Sequence, residues 1–228
     1  MPDVVRIVPA APVTGDSRYA ADMAIFRATR SLEGSPRWTL AQADDDMSLA
    51  GLFRAFHCAL GVTLTPESAP RVTRLMTRAN ADASGAASVL KEFYRRKRPF
   101  QLGKGPVCVT PAVKARLEHI PDYPSGHTTA GWETGLVLAE LAPDAATSLL
   151  ARARAFGESR IVCGVHNMSA VEAGWMTATA VFAAQNASVA FRADLDAAKT
   201  ELSTLRKGAS VAAAVCATEL KTLAKDPF

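Results

Sequence analysis

Apolar positions recur at three- and four-residue intervals along most of the chain, the spacing that lines one face of an α-helix. Val72, Leu75, Met76 and Ala79 set such a stripe, continued through Val89, Leu90, Phe93 and Tyr94. Thr65-Pro66-Glu67 reads as a helix opening, a hydroxyl cap followed by a proline where its missing N–H costs nothing. Pro99 disfavours α geometry in the residue before it, so this helix is expected to end at about Arg98. Further helices are predicted from about Met47 to Leu60, entered through Asp44-Asp45-Asp46, from Ser125 to Leu141, closed by Pro143, and from about Ala145 to Val162. Ser169-Ala170-Val171-Glu172 has the form of a capping box launching another helix, and one more is expected between Leu195 and Leu223.

Residues 1 to 45, broken by Pro, Gly and Asp, read as an extended lead-in with one helix near Met23–Phe26. Pro106 to Pro124 reads as a loop with a short helix near Ala112–Leu117. Neither a repeat nor an alternating strand pattern is evident. The expectation is an all-α fold in a single domain over residues 1–228, with a helical core over 45–195 and a C-terminal helix over 196–228.

At 228 residues and 49% hydrophobic content the chain can bury a proper core. The net charge of +4 favours an anionic small molecule and is too small to imply nucleic acid without a basic face. Cys58, Cys108, Cys163 and Cys216 lack zinc-site spacing, and buried free thiols are expected for at least some of them. No charge occurs between Ala173 and Phe191, but the segment is rich in Ala, Thr, Gln and Asn, so it reads as a buried helix rather than a membrane span. The first residues show no signal-peptide pattern, since Met1-Pro2-Asp3 is not basic and Arg6 and Pro9 interrupt the apolar stretch beside it.

The chemistry concentrates in three stretches. Lys91 and Arg98, seven residues apart, would project from nearly the same face of one helix and could grip one anion, although Arg95, Arg96 and Lys97 also suit a solvated basic patch. Ser125-Gly126-His127 stands where a loop enters a helix, so free amides and a hydroxyl could face phosphate oxygens, and a histidine beside a bound anion should favour its protonated form. Ser159-Arg160 and His166 add a guanidinium suited to bidentate phosphate binding and a second imidazole. His57 and His119 have no such company.

Lys91-x6-Arg98-Pro99, Pro124-Ser125-Gly126-His127 and Ser159-Arg160-x5-His166 together resemble the three-part signature of the phosphatidic acid phosphatase type 2 superfamily. The stretches around Tyr123–Thr128 and Ser159–Gly164 look most like its soluble branch, the bacterial class A nonspecific acid phosphatases. The resemblance covers roughly residues 45 to 195. It implies a helical fold of the phosphatase and haloperoxidase type and a metal-independent, cofactor-free phosphomonoesterase or phosphotransferase working through a phosphohistidine. His166 would match the nucleophile and His127 the acid, with Lys91, Arg98, Ser125, Gly126 and Arg160 holding the phosphate. Small phosphomonoesters and phosphate would be the partners, vanadate an expected inhibitor, and the periplasm or exterior the location. Neither nucleic acid nor membrane is expected, and a homo-oligomer is left open.

The family pattern continues from the nucleophile as His-x3-Asp, with the Asp orienting the histidine, whereas this chain has Ala170 there. Asn167 stands where the family commonly has an aromatic residue. Glu172 could supply a carboxylate, but the capping-box reading suits it better. Two other functions stay open: a phosphate-binding degenerate enzyme with little turnover, and a vanadium-dependent haloperoxidase, since the same cradle can hold vanadate.

Overall fold

The computed structural model describes residues 1–209 and 211–228, and every regular element among them is helical. In chain order these are α1 (Val4–Ile7), α2 (Ser17–Thr29), α3 (Pro36–Ala43), α4 (Leu49–Leu60), α5 (Pro70–Tyr94), α6 (Pro99–Leu102), α7 (Pro111–Leu117), α8 (Gly126–Leu141), α9 (Ala146–Val162), α10 (Met168–Asn186), α11 (Val189–Lys207) and α12 (Ala213–Leu223). Two 3₁₀ turns, Arg30–Leu32 and Pro143–Ala145, link neighbours. The all-α, single-domain expectation holds. None of the described helices is long and apolar enough to cross a membrane.

The main core forms where the predicted stripes meet. Phe53, Phe56 and Leu60 of α4, Val72, Leu75 and Met76 of α5, Leu138 of α8, Leu149 and Phe156 of α9 and Phe191 of α11 are all buried in one cluster. Small residues let the central helices approach closely. A Cβ on Gly131 would meet the Phe156 ring at 2.3 Å, and one on Gly135 would meet Ala153 at 2.5 Å, so α8 and α9 could not pack as they do with larger residues there. Gly174 of α10 likewise lies against Thr128 and the Ser125 carbonyl.

Several local expectations are corrected. The first 45 residues, read as mostly extended, carry α1, α2 and α3, and buried Phe26 and Trp38 show that this segment packs on the body. The acidic run does not open a helix: Ser48 caps α4, and Asp44 and Asp45 instead reach arginines of α9, a stronger attraction than a helix dipole offers. Thr65 and Ser68 bond each other reciprocally in a turn, and α5 starts at Pro70, its free amides of Arg71 and Val72 donating to Glu201 of α11. Ser169 does not form a capping box: Asp22 accepts from its amide, and Glu172 faces Arg18 at 3.7 Å. The uncharged segment is not one helix, because α10 ends at Asn186 and Ser188 caps α11. The C-terminal segment is two helices, with Ser210 between them outside the described residues.

The expectation of free thiols is also corrected. Cys58–Cys216 fastens α12 to α4, and Cys108–Cys163 joins the loop before α7 to the end of α9. Paired in this way, Cys58 and Cys216 are not thiolate ligands, although His57 lies beside them.

Glu133 of α8 is fully buried, and neither carboxylate oxygen has a hydrogen-bond partner. Burial, helped by nearby Asp82, pushes its carboxyl from 4.5 up to about 9. The folded protein therefore holds a proton that the unfolded chain releases above about pH 4.5, and stability falls as pH rises through that window. Urea unfolding of Glu133→Gln against the parent should show the difference shifting in the variant's favour by on the order of 2 kcal/mol between pH 5 and pH 7.5. A difference independent of pH would show that the carboxyl is not held neutral.

Candidate active site

The residues singled out by sequence come from five places in the fold. Lys91 is in the last turn of α5, Arg98 caps α6, Ser125 caps α8 with Gly126 and His127 in its first turn, Arg160 is in the last turn of α9, and His166 sits in the turn before α10. Arg98, His127, Arg160 and His166 line one cavity of about 280 Å³, shared with Asp45, Asp46, Met47 and residues of α7. Lys91, Ser125 and Gly126 do not line it. A Cβ on Gly126 would lie 3.8 Å from Lys91 Cε, which puts these two side by side. A larger open groove of about 880 Å³ along α11 contains none of these residues.

His166 is buried between a cation and a carboxylate. Arg98 Nη1 is 3.1 Å from His166 Nε2, and Asp122 Oδ1 is 2.9 Å from His166 Nδ1. A guanidinium can only donate, so Nε2 must be the bare nitrogen and Nδ1 must carry the proton that faces Asp122. Burial, with Arg98 and Lys91 adding positive charge, holds the His166 imidazolium well below its ordinary range, so the ring is neutral. The unprotonated Nε2 of this neutral ring is therefore engaged by the Arg98 hydrogen bond, and Arg98 would have to turn away before Nε2 could meet another atom.

Lys91 and Arg98 do not share a helix face. The helix α5 stops at Tyr94, Arg95 takes a left-handed conformation with φ of 47°, and Pro99 holds Arg98 in extended geometry. The two cations still converge, because both grip the loop before α8: Arg98 Nε donates to Ile120 O at 2.8 Å and Lys91 Nζ to Pro121 O at 2.6 Å. Arg96, which fitted a solvated patch, is buried between Asp22 at 2.8 Å and Asp122 at 3.5 Å. Burial and the neighbouring Arg98 push the Lys91 ammonium down to about 7.

On the opposite wall Asp45 engages both remaining site residues. Arg160 Nη1 donates to Asp45 Oδ1 at 2.6 Å, and His127 Nε2 lies 3.1 Å from the Asp45 carbonyl and 3.5 Å from its carboxylate. A carbonyl can only accept, so His127 carries its proton on Nε2. Without a bound anion, burial and Arg160 push the His127 imidazolium down to about 4, so the protonated form expected beside a phosphate is not the resting form. Ser159 serves the scaffold: its hydroxyl donates to Asp44 at 2.6 Å, and Arg152 clamps the same carboxylate at 2.6 and 3.2 Å. Ser125 Oγ accepts from the Thr128 amide and hydroxyl, which fixes the first turn of α8.

Residues 76–193 match the family described as the PAP2 superfamily. The chain belongs to that superfamily. It is 40% identical over 198 residues to an acid phosphatase of Zymomonas mobilis, an alignment spanning 87% of this chain and 75% of that protein. It is 33% identical over 206 residues to a non-specific acid phosphatase of Providencia stuartii (90% and 83% covered) and 33% over 199 residues to one of Salmonella typhimurium (86% and 78%). The resemblance drawn from the three motifs therefore holds, and it extends beyond the core to most of the chain.

Two carboxylates meet the histidines of this candidate site without any local sequence signal. By sequence Asp45 reads as part of a helix entry and Asp122 as part of the loop from Pro106 to Pro124. Neither belongs to a motif with its own spacing, and each meets its histidine only through folding, 82 and 44 positions away in the chain. Asn167, by sequence only a departure from the family pattern, donates its side-chain amide to Asp122 Oδ2 at 2.8 Å.

Proposed function

We propose that the protein is an acid phosphatase that hydrolyses small phosphomonoesters through a phosphohistidine at His166, without a metal ion. The observation that carries this reading is that His166, with an unprotonated Nε2 held only by Arg98, lines one cavity together with Arg98, Arg160 and a second imidazole. In this reading Nε2 attacks phosphorus and forms an N–P bond while the P–O bond to the alcohol breaks. His127, protonated once the phosphate dianion lies beside it, passes its Nε2 proton to the departing oxygen. Water, or a second alcohol, then attacks the phosphohistidine. His127 takes the attacking oxygen's proton as the N–P bond breaks, so protons balance over the cycle.

Phosphoryl transfer asks chiefly for positioning and charge stabilisation. Three cations, Lys91, Arg98 and Arg160, and the free amides at the start of α8 are suited to hold the three non-bridging oxygens. Gly126 leaves the space beside Lys91 Cε open for close approach of a ligand to that backbone. Vanadate, a phosphate mimic, is expected to inhibit. The two disulfides support a working place in an oxidising compartment, the periplasm or exterior.

The resting site gives Asp45 a second significance: its carboxylate occupies Arg160 and stands beside His127, donors that a phosphate would need. Substrate must displace it or share Arg160 with it.

Release of phosphate from a small aryl phosphate should persist in EDTA, a phosphoryl group should be trapped on the protein by rapid alkaline denaturing quench, and both should vanish in His166→Ala. Full activity in that variant, or loss of activity to the chelator, would overturn the mechanism. Lys91 is charged below about pH 7 and loses its charge above it, so kcat/KM should fall as pH rises through that value. Lys91→Arg should move this alkaline limb upward in pH, and an unmoved limb would assign it to another group. Asp45→Asn should tighten inhibition by inorganic phosphate about three- to tenfold, read as a lower inhibition constant, because a competing negative charge leaves Arg160.

A further inference from the structure

The residue that normally orients the nucleophile is missing from its usual position, yet His166 does not lack a carboxylate. Ala170 is fully buried in a cluster with Tyr123 and Ala83 and has no polar side chain to offer; its carbonyl accepts from the Ser125 amide at 2.8 Å and its amide donates to Asn167 O at 3.1 Å. From the other side, out of the loop that precedes α8, Asp122 reaches His166 Nδ1 at 2.9 Å. We infer that Asp122 is the positioning residue for His166 in this chain, an orienting carboxylate supplied by the loop that leads into the Ser-Gly-His turn rather than by α10. This inference rests on the reading of His166 as nucleophile.

Three observations support it. First, Asp122 is held from several directions: the Asn167 side chain donates to Oδ2 at 2.8 Å, the Asn167 amide to Oδ1 at 3.3 Å, and Arg96 stands 3.5 Å from Oδ2. Asn167 could not do this as an aromatic residue, so the two departures at 167 and 170 become parts of one arrangement with Asp122. Second, the loop itself is clamped, since the Asp122 amide donates to Arg96 O at 2.8 Å while Arg98 and Lys91 hold the two preceding carbonyls. Third, Arg96 is fixed in turn by Asp22 of α2 and by Ser169, with Asp22 also accepting from the Ser169 amide and hydroxyl. A chain of buried polar contacts thus runs from α2 to His166, and a carboxylate held so firmly fixes both the tautomer and the ring plane of its histidine.

A purely structural alternative exists, in which Asp122 serves only as counter-ion to Arg96. The two differ in what they predict for catalysis. Under the positioning role, Asp122→Asn leaves the cavity and its cations in place but removes the charge that selects the Nδ1–H tautomer and supports the ring as it becomes cationic.

The test uses the intact protein and four forms: parent, Asp122→Asn, Ala170→Asp, and the double variant. With an aryl phosphate, Asp122→Asn should lose about 10²- to 10⁴-fold in kcat while KM stays within about threefold. Restoring a carboxylate by Ala170→Asp in that background should recover at least about tenfold, whereas the same change in the parent should bring no gain because two carboxylates would then face one imidazole. Asp122→Asn within about threefold of parent in kcat, or a loss that a carboxylate at 170 does not recover, would overturn the assignment. A second measurement needs neither turnover nor a variant: long-range proton–nitrogen spectra of the parent should show His166 protonated at Nδ1 and bare at Nε2. The opposite tautomer would overturn the inference, while absence of turnover in the parent together with the expected tautomer would count against the phosphatase reading alone.

Discussion

A buried imidazole between a guanidinium and a carboxylate has its protonation pattern decided for it. Arg98 can only donate, so His166 must present a bare Nε2 and a protonated Nδ1, and that proton meets an oxygen of Asp122. The contacts around the ring hold those two partners in place. Arg98 is held by the Ile120 and Val165 carbonyls, and Asp122 by Asn167 and Arg96.

That arrangement needs charges in the interior, where an unpaired ion would cost several kcal/mol. The protein meets this by pairing: Arg96 with Asp22 and Asp122, Arg152 with Asp44, Arg160 with Asp45. The N-terminal helices are thereby part of the site's support, because Asp22 of α2 and Asp44 and Asp45 after α3 supply three of these four carboxylates. Close packing of α8 on α9, allowed by Gly131 and Gly135, brings the Ser125 turn and Arg160 to one end of the bundle. Where pairing is absent the cost is visible, as in Glu133, whose lone buried carboxyl stays protonated.

Much of the site is legible in the chain because its motifs combine rare residue types with local constraints. Ser125-Gly126-His127 sits at a helix start because Ser is a good cap and Pro124 disfavours α geometry in Tyr123 before it. The cations Lys91, Arg98 and Arg160 stand out by type, but a shared helix face is not what unites the first two: they converge by gripping a common loop. The cysteines, of which at least some were expected as free thiols, are all paired, and partners 55 and 158 positions apart leave no local trace of it.

What the sequence by itself determined is what short-range physics governs: helical periodicity, caps, prolines that stop helices, and the three motifs that mark the phosphatase superfamily. Tertiary structure alone decided which charge meets which. Asp22, Asp44, Asp45 and Asp122 look like ordinary polar punctuation in the chain, because a carboxylate's role depends on the cation or imidazole within about 3 Å of it, and that neighbour is chosen by how distant helices pack. The same logic explains why Ala170 reads as a missing part, although folding brings the Asp122 carboxylate to His166 from a loop 44 residues earlier.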